Sequence, residues 1–137
     1  MSEFVKLLSD SEGQVRAEAA SATGAIGQEA GTEEVLRELV KLLSDVEWPV
    51  RSEAARAIGA IGQVAGTAEM LRELVKLLSD SEEEVLSEAA SAIAILSTQV
   101  APEERPKALA IFRRLARAKK LERRDVGYIA LRNLLAS

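Results

Sequence analysis

Apolar and polar positions follow a helical rhythm along this chain, and the rhythm repeats. In residues 33–44, Leu36, Leu39, Val40 and Leu43 form one apolar stripe, widened by Val35 and Leu42. A stripe that wide seeks packing partners on more than one side. The ten residues Leu36 to Asp45 return unchanged as Leu71 to Asp80, thirty-five positions later, and Val5 to Asp10 is a shorter copy at the same interval. A fixed offset between near-identical segments predicts stacked units. Sustained period-two alternation is absent and Ala is abundant, which disfavours strands.

Each unit reads as two helices. The first spans 33–44 and 68–79, with Thr32 and Thr67 as N-caps and with Gly31 and Gly66 closing the preceding helix. Glu38 with Lys41, and Glu73 with Lys76, stand three apart on the exposed side. The second helix begins near Ser11, Asp45 and Ser81. Ser11 with Gln14, and Ser81 with Glu84, have capping-box spacing, and Pro49 falls in the first turn of the middle copy. Val15, Ala19, Ala22 and Ile26 form its inward face, matched by Val50, Ala54, Ala57 and Ile61. Gly24, Gly27, Gly59 and Gly62 fall inside this helix, and Ala94 and Ser97 occupy the same places in the third copy. Each Gly costs about 1 kcal/mol relative to Ala, so close approach of a neighbouring helix is the expected cause.

The repeat decays after Val100. A helix over 103–119 places Leu109 and Phe112 where Leu74 and Leu77 lie one unit earlier. A last helix over 125–136 takes Asp125 as N-cap and turns Leu131, Leu134 and Leu135 inward. An end unit lacks a neighbour on one side and must differ in sequence. The expected organisation is a single domain, with repeats at about 1–31, 32–66 and 67–101 and a C-terminal cap at 102–137. The first helix, 2–9, looks short, leaving Phe4, Val5 and Leu8 exposed.

The segments Leu39 to Asp45 and Val50 to Gly62 resemble HEAT-like repeats of the armadillo type. The resemblance covers residues 4–100 and, loosely, the cap. It implies an all-α fold, an α-solenoid of stacked antiparallel helix pairs with second helices lining the concave side. It also implies binding to other macromolecules. The near-identity of the copies is similar to consensus-style or artificial HEAT-like scaffolds.

Composition narrows the chemistry. Among the 137 residues there is no Cys and no His, which removes thiolate chemistry and the commonest general base and metal ligand. Aromatics are 3% of the chain, so Leu, Val, Ile and Ala must build the core. Glu18, Glu53 and Glu88 recur at one position, but equivalent solvated sites cannot split two pKa values as acid–base catalysis requires. Calcium needs six to eight converging oxygens, and these carboxylates are a repeat apart. Gly24 to Gly27 follows no strand and precedes no Gly-Lys-Ser/Thr, so it is no phosphate loop. The chain reads as a non-enzyme with no cofactor and no metal. No apolar run is long enough to span a bilayer and no signal pattern is present, so the expected location is the cytoplasm.

The expected function is a protein-interaction scaffold, engineered or idealised, whose partner is another protein or none. Few residues on the second helices could anchor a partner. The candidates are Trp48, which breaks the repeat, with Arg56, Ser52, Gln63 and Ser91. Charge offers a rival. Residues 1–100 carry 8 basic and 18 acidic side chains, a balance of −10, whereas 101–137 carry 10 and 4, a balance of +6. Arg113, Arg114, Arg117, Lys120 and Arg124 could bind an anionic surface or nucleic acid. Stacking aromatics are missing there and the acidic body opposes DNA, so nucleic acid is the disfavoured partner. A monomer is expected, with a homodimer through the N-terminal end as the alternative.

Overall fold

A computed structural model describes residues 2–118 and 121–136. Its α-helices are α1 (Ser2–Leu8), α2 (Gly13–Ile26), α3 (Glu33–Leu42), α4 (Trp48–Ile61), α5 (Ala68–Lys76), α6 (Glu83–Leu96), α7 (Arg105–Ala116) and α8 (Leu121–Ala136). No strand occurs among the described residues. The helices pair as α1–α2, α3–α4 and α5–α6, and α7–α8 forms the cap. The stack of antiparallel pairs follows the thirty-five-residue interval.

Local chemistry sets the helix ends. The hydroxyls of Thr32 and Thr67 accept from the Val35 and Met70 N–H groups at 3.2 and 3.1 Å, capping α3 and α5. Pro49 lies in the first turn of α4. The capping boxes do not form: the residues before α2, α4 and α6 are Glu12, Glu47 and Glu82, and none of their side chains caps. An aspartate two residues earlier does related work. The Oδ1 atoms of Asp10, Asp45 and Asp80 accept from the Glu12, Glu47 and Glu82 N–H groups at 2.9–3.0 Å. These are Asx turns, which a short carboxylate forms readily because it mimics a backbone acceptor.

The four repeated glycines divide into two kinds. Gly24 and Gly59 lie within helices, where an added Cβ would stand 3.2 Å from the Cα of Ala57 and Ala92 in the next unit. Close helix approach is their cause, as expected. Gly27 and Gly62 are not helical interior. Their φ values of 76° and 78° end α2 and α4 and send the chain into short 3₁₀ turns, Gly27–Ala30 and Gly62–Ala65. Ser97, at the same repeat position, keeps φ at −64°.

Small residues let the second helices pack closely. α2, α4 and α6 lie against one another along their length, whereas α3 and α5 are spread and leave a groove of about 550 Å³ between Leu36, Val40 and Met70. The stack therefore closes on the second-helix side. Between the layers runs a continuous core that includes Leu8, Leu39, Leu43, Val50, Ile58, Ile61, Leu71, Leu74, Leu78, Ile93 and Leu96. Each such aliphatic side chain contributes about 1.5–3 kcal/mol when fully buried. Phe112 and Leu134 extend the core into the cap.

An ionic clamp joins the first two pairs of units. Arg16 donates Nε and Nη2 to the Asp45 carboxylate at 2.8 and 3.1 Å, and Nη1 to the Asp10 carbonyl at 2.7 Å. Arg51 repeats this on Asp80 at 2.8 and 3.1 Å, and on the Asp45 carbonyl at 2.8 Å. The aspartate side chains are only 8–9% exposed. Burial pushes both carboxyls up, but the arginine fork and the Glu47 or Glu82 N–H outweigh it and hold them below the ordinary Asp value. Hydrogen bonding to Asp45 correspondingly raises Arg16.

The two ends depart from expectation. Leu8 is buried, and Phe4 and Val5 are half-buried against the core. The exposed apolar residues at that end are Leu7 and Ile26, which α1 and α2 turn away from the next unit. In the cap, α7 is shorter than 103–119 and α8 starts before 125. Asp125 therefore lies inside α8 rather than at its cap, and Leu135 is exposed while Leu134 is buried.

Candidate protein-binding face

Helical periodicity puts every third or fourth residue of the second helices on the outer side of their layer, and stacking aligns these residues into rows. One row is Gln14, Pro49, Glu84. The next is Glu18, Glu53, Glu88, followed by Ser21, Arg56, Ser91, then Ala25, Ala60, Ile95, and last Gln28, Gln63, Thr98. Glu53 and Glu88 are partly covered and the rest are exposed. The surface is shallow, with a hollow of about 290 Å³ between α2 and α4 lined by Ser21, Gly24, Ala25, Glu53, Arg56 and Ala60.

Arg56 is the strongest group on this face. Its Nη2 donates to Glu88 Oε2 in the next unit at 2.9 Å, and Nη1 lies 3.3 Å from Glu53. The bond to Glu88 raises the guanidinium pKa, and half of the side chain stays exposed. Units one and three have Ser21 and Ser91 there, so Glu18 has no arginine at its row position and takes a long bond from Gln14 at 3.5 Å. Among the fifteen row positions stand four glutamates and one arginine. The face is acidic.

Of the sequence candidates, Arg56, Gln63 and Ser91 share these rows and are exposed. Trp48 stands at the first residue of α4, 38% exposed, beside the rows rather than in them. Ser52 is buried, with its hydroxyl donating to the Pro49 carbonyl at 3.1 Å, and cannot meet a partner. Of the second-helix candidates only this position differs: the outer row lies one residue on, at Glu53. The anion-binding candidates Arg113 and Arg114 lie in the last turn of α7, where cations complement the helix dipole. Arg117 follows them, also exposed, and Arg124 donates Nε to the Ala118 carbonyl at 3.3 Å. Lys120 lies outside the described residues. Among the described residues no group of three or more acidic side chains could hold a metal ion, and no helix is long and apolar enough to cross a membrane.

Paired helices, an interval of thirty-five and a second-helix layer closed by small residues define an α-solenoid repeat protein. The family model for HEAT repeats matches residues 1–74 and 38–132, and the chain belongs to that family. Among solved structures it is similar to an engineered protein (27% identity, TM-score 0.68, covering 96% of this chain and 61% of that one). A designed armadillo repeat protein in complex with the peptide (KR)4 is similar too, at 31% identity and TM-score 0.68, with 96% and 62% covered. So is a computationally designed armadillo repeat protein for modular peptide recognition, at 30% identity and TM-score 0.65, with 95% and 62% covered. The chain spans about three-fifths of the length of these structures. No curated protein matches it.

Proposed function

We propose that this chain is an engineered, non-catalytic repeat scaffold that binds an extended basic peptide along its second-helix face. The observation that carries the reading is the glutamate row at 18, 53 and 88, reinforced by Glu84 and offset only by Arg56. Carboxylates at regular spacing suit Lys or Arg side chains at regular spacing, because opposite charges in register give specificity as well as attraction. The similarity to a designed armadillo repeat protein in complex with (KR)4 supports the same partner class. Near-identical units and the likeness to engineered proteins support the engineered origin. Trp48 beside the rows and Gln63 in the last of them serve as contacts for the peptide backbone or for stems of its side chains. The hollow on this face is shallow, and its carboxylates lie open to solvent or against Arg56, which supports a binding role over a catalytic one.

Calorimetric titration with an Arg/Lys octapeptide tests this. Binding is expected to weaken as salt rises. Glu18→Gln and Glu88→Gln should each lower affinity about threefold, whereas Arg56→Ser should raise it by a similar factor by freeing two carboxylates. Unchanged affinity in both glutamine variants would remove the face from the proposal.

A further inference from the structure

The clamp that joins successive units is left half-made at each end of the molecule, and the two halves are complementary. Arg16 and Arg51 are the fourth residues of α2 and α4, and each holds the backbone carbonyl six residues back while its fork reaches the aspartate of the following unit. The fourth residue of α8 is Arg124, and it too donates to the carbonyl six residues back, that of Ala118, although through Nε where the clamp arginines use Nη1. It is exposed and makes no ion pair with any described carboxylate. At the other end, Asp10 holds the same Asx turn as Asp45 and Asp80, yet no arginine fork meets its carboxylate among the described residues.

Apolar surface accompanies both halves. Leu7 is 46% exposed, whereas its equivalents Leu42 and Leu77 are 5% and 7% exposed beneath the preceding unit. Ile26 is 47% exposed, and its equivalent Ile61 is fully buried. Further along α8 from Arg124, Tyr128, Ile129 and Leu135 are exposed. The end carrying Asp10 belongs to the acidic body and the end carrying Arg124 to the basic cap, so their fields attract at long range.

We propose that the N-terminal face of one molecule docks on the C-terminal cap of a second copy of this chain, the Nη groups of Arg124 taking the Asp10 carboxylate in the place where Arg16 takes Asp45. This contact is heterologous. It leaves a free end of each kind and therefore propagates as an open series rather than stopping at a dimer.

Sedimentation velocity across a wide concentration range tests it, with circular dichroism confirming that each variant is folded. The wild-type chain should show monomer, dimer and trimer in succession, shifting toward monomer as salt rises. Asp10→Arg and Arg124→Asp should each abolish the series, because each variant presents like charges at both ends. An equimolar mixture of the two should restore it, since every head then finds an opposite tail. Asp10→Asn, which keeps the Asx turn and removes the charge, should weaken association roughly tenfold. A wild-type chain that stays monomeric throughout would overturn the proposal. So would a species that stops at dimer and survives Arg124→Asp, which would mark self-association of two N-terminal faces. Failure of the mixture to recover would overturn the pairing as well. None of these outcomes depends on peptide binding by the second-helix face.

Discussion

The junctions between repeats and the junction with the cap solve one packing problem with different chemistry. At the first two, a bidentate arginine meets a nearly buried aspartate. At the third, both members are gone: the fourth residue of α6 is Leu86, and Ala118 holds the place three residues before α8 that Asp45 holds before α4. Leu86 packs against the core instead. Joint loss of both partners is what the energetics demand, since one partner alone would be a charge stranded in an apolar seam. The difference also teaches what the clamp is for. Units one to three are nearly identical, so their helices could pair in shifted register with similar burial. An arginine fork that fits one aspartate penalises the shift. The cap has a sequence of its own, and Asn133 fixes its place by donating to the Ala94 carbonyl and Ser97 hydroxyl at 3.1 and 2.9 Å.

Breaking one clamp gives the largest expected effect. Asp80→Ala leaves Arg51 without its carboxylate in a seam where the pair is mostly covered, and should destabilise the fold by about 3 kcal/mol in urea denaturation. Converting the junction to the form found at the cap should undo most of this. Arg51→Leu with Asp80→Ala is expected to fall within about 1 kcal/mol of wild type. If the double variant is as unstable as the single one, the clamp is more than an exchangeable seam.

The helix ends permit a second contrast. Gly62 sits at φ 78° and ψ −128°, a conformation closed to other residues, and Gln99 occupies the space where a Cβ would go. Gly62→Ala should cost about 2 kcal/mol. Ser97, its counterpart in unit three, has ordinary helical angles, and Ser97→Ala removes only hydroxyl bonds to Ala94 and Asn133, for about 1 kcal/mol. The same denaturation series would read both.

Architecture was legible because the interval and the apolar stripe are properties of single helices and their recurrence. Thr32, Thr67, Pro49, Gly24 and Gly59 were placed correctly for the same reason: caps, first-turn proline and close approach leave local marks. The clamp was not read, although Asp45 with Asp80 and Arg16 with Arg51 recur at the interval. Each arginine–aspartate pair spans 29 residues and joins different units, so no local spacing announces it. The capping boxes failed because the helices begin one residue later than the boxes require: Glu12 and Glu82, not Ser11 and Ser81, are the N-caps, and Asp10 and Asp80, two residues before them, accept from their N–H groups. Gly27 and Gly62 were misplaced because a helical glycine and a helix-ending one look alike in sequence. On the candidate face, Ser52 and Glu53 both stand three or four residues from Pro49 and from Arg56, so helical spacing alone leaves open which of the two faces out, and Ser52 is the buried one.

Acid offers the smallest and most selective test of the comparison. Asp45 and Asp80 have folded pKa values below the ordinary Asp value, so each binds a proton less readily folded than unfolded. Their contribution to stability is complete above the unfolded value of about 4 and is lost as pH falls through the lower folded value. Glu38, held down chiefly by its bond from Lys41, adds a loss in the same direction. The variant Arg51→Leu, Asp80→Ala keeps Glu38 and Asp45 but has one depressed carboxyl fewer. Between pH 5 and pH 3 the wild-type protein should therefore lose more stability than this variant. Parallel curves for the two proteins would mean that Asp80 titrates alike in both states, and the clamp would then hold geometry without storing charge-dependent stability.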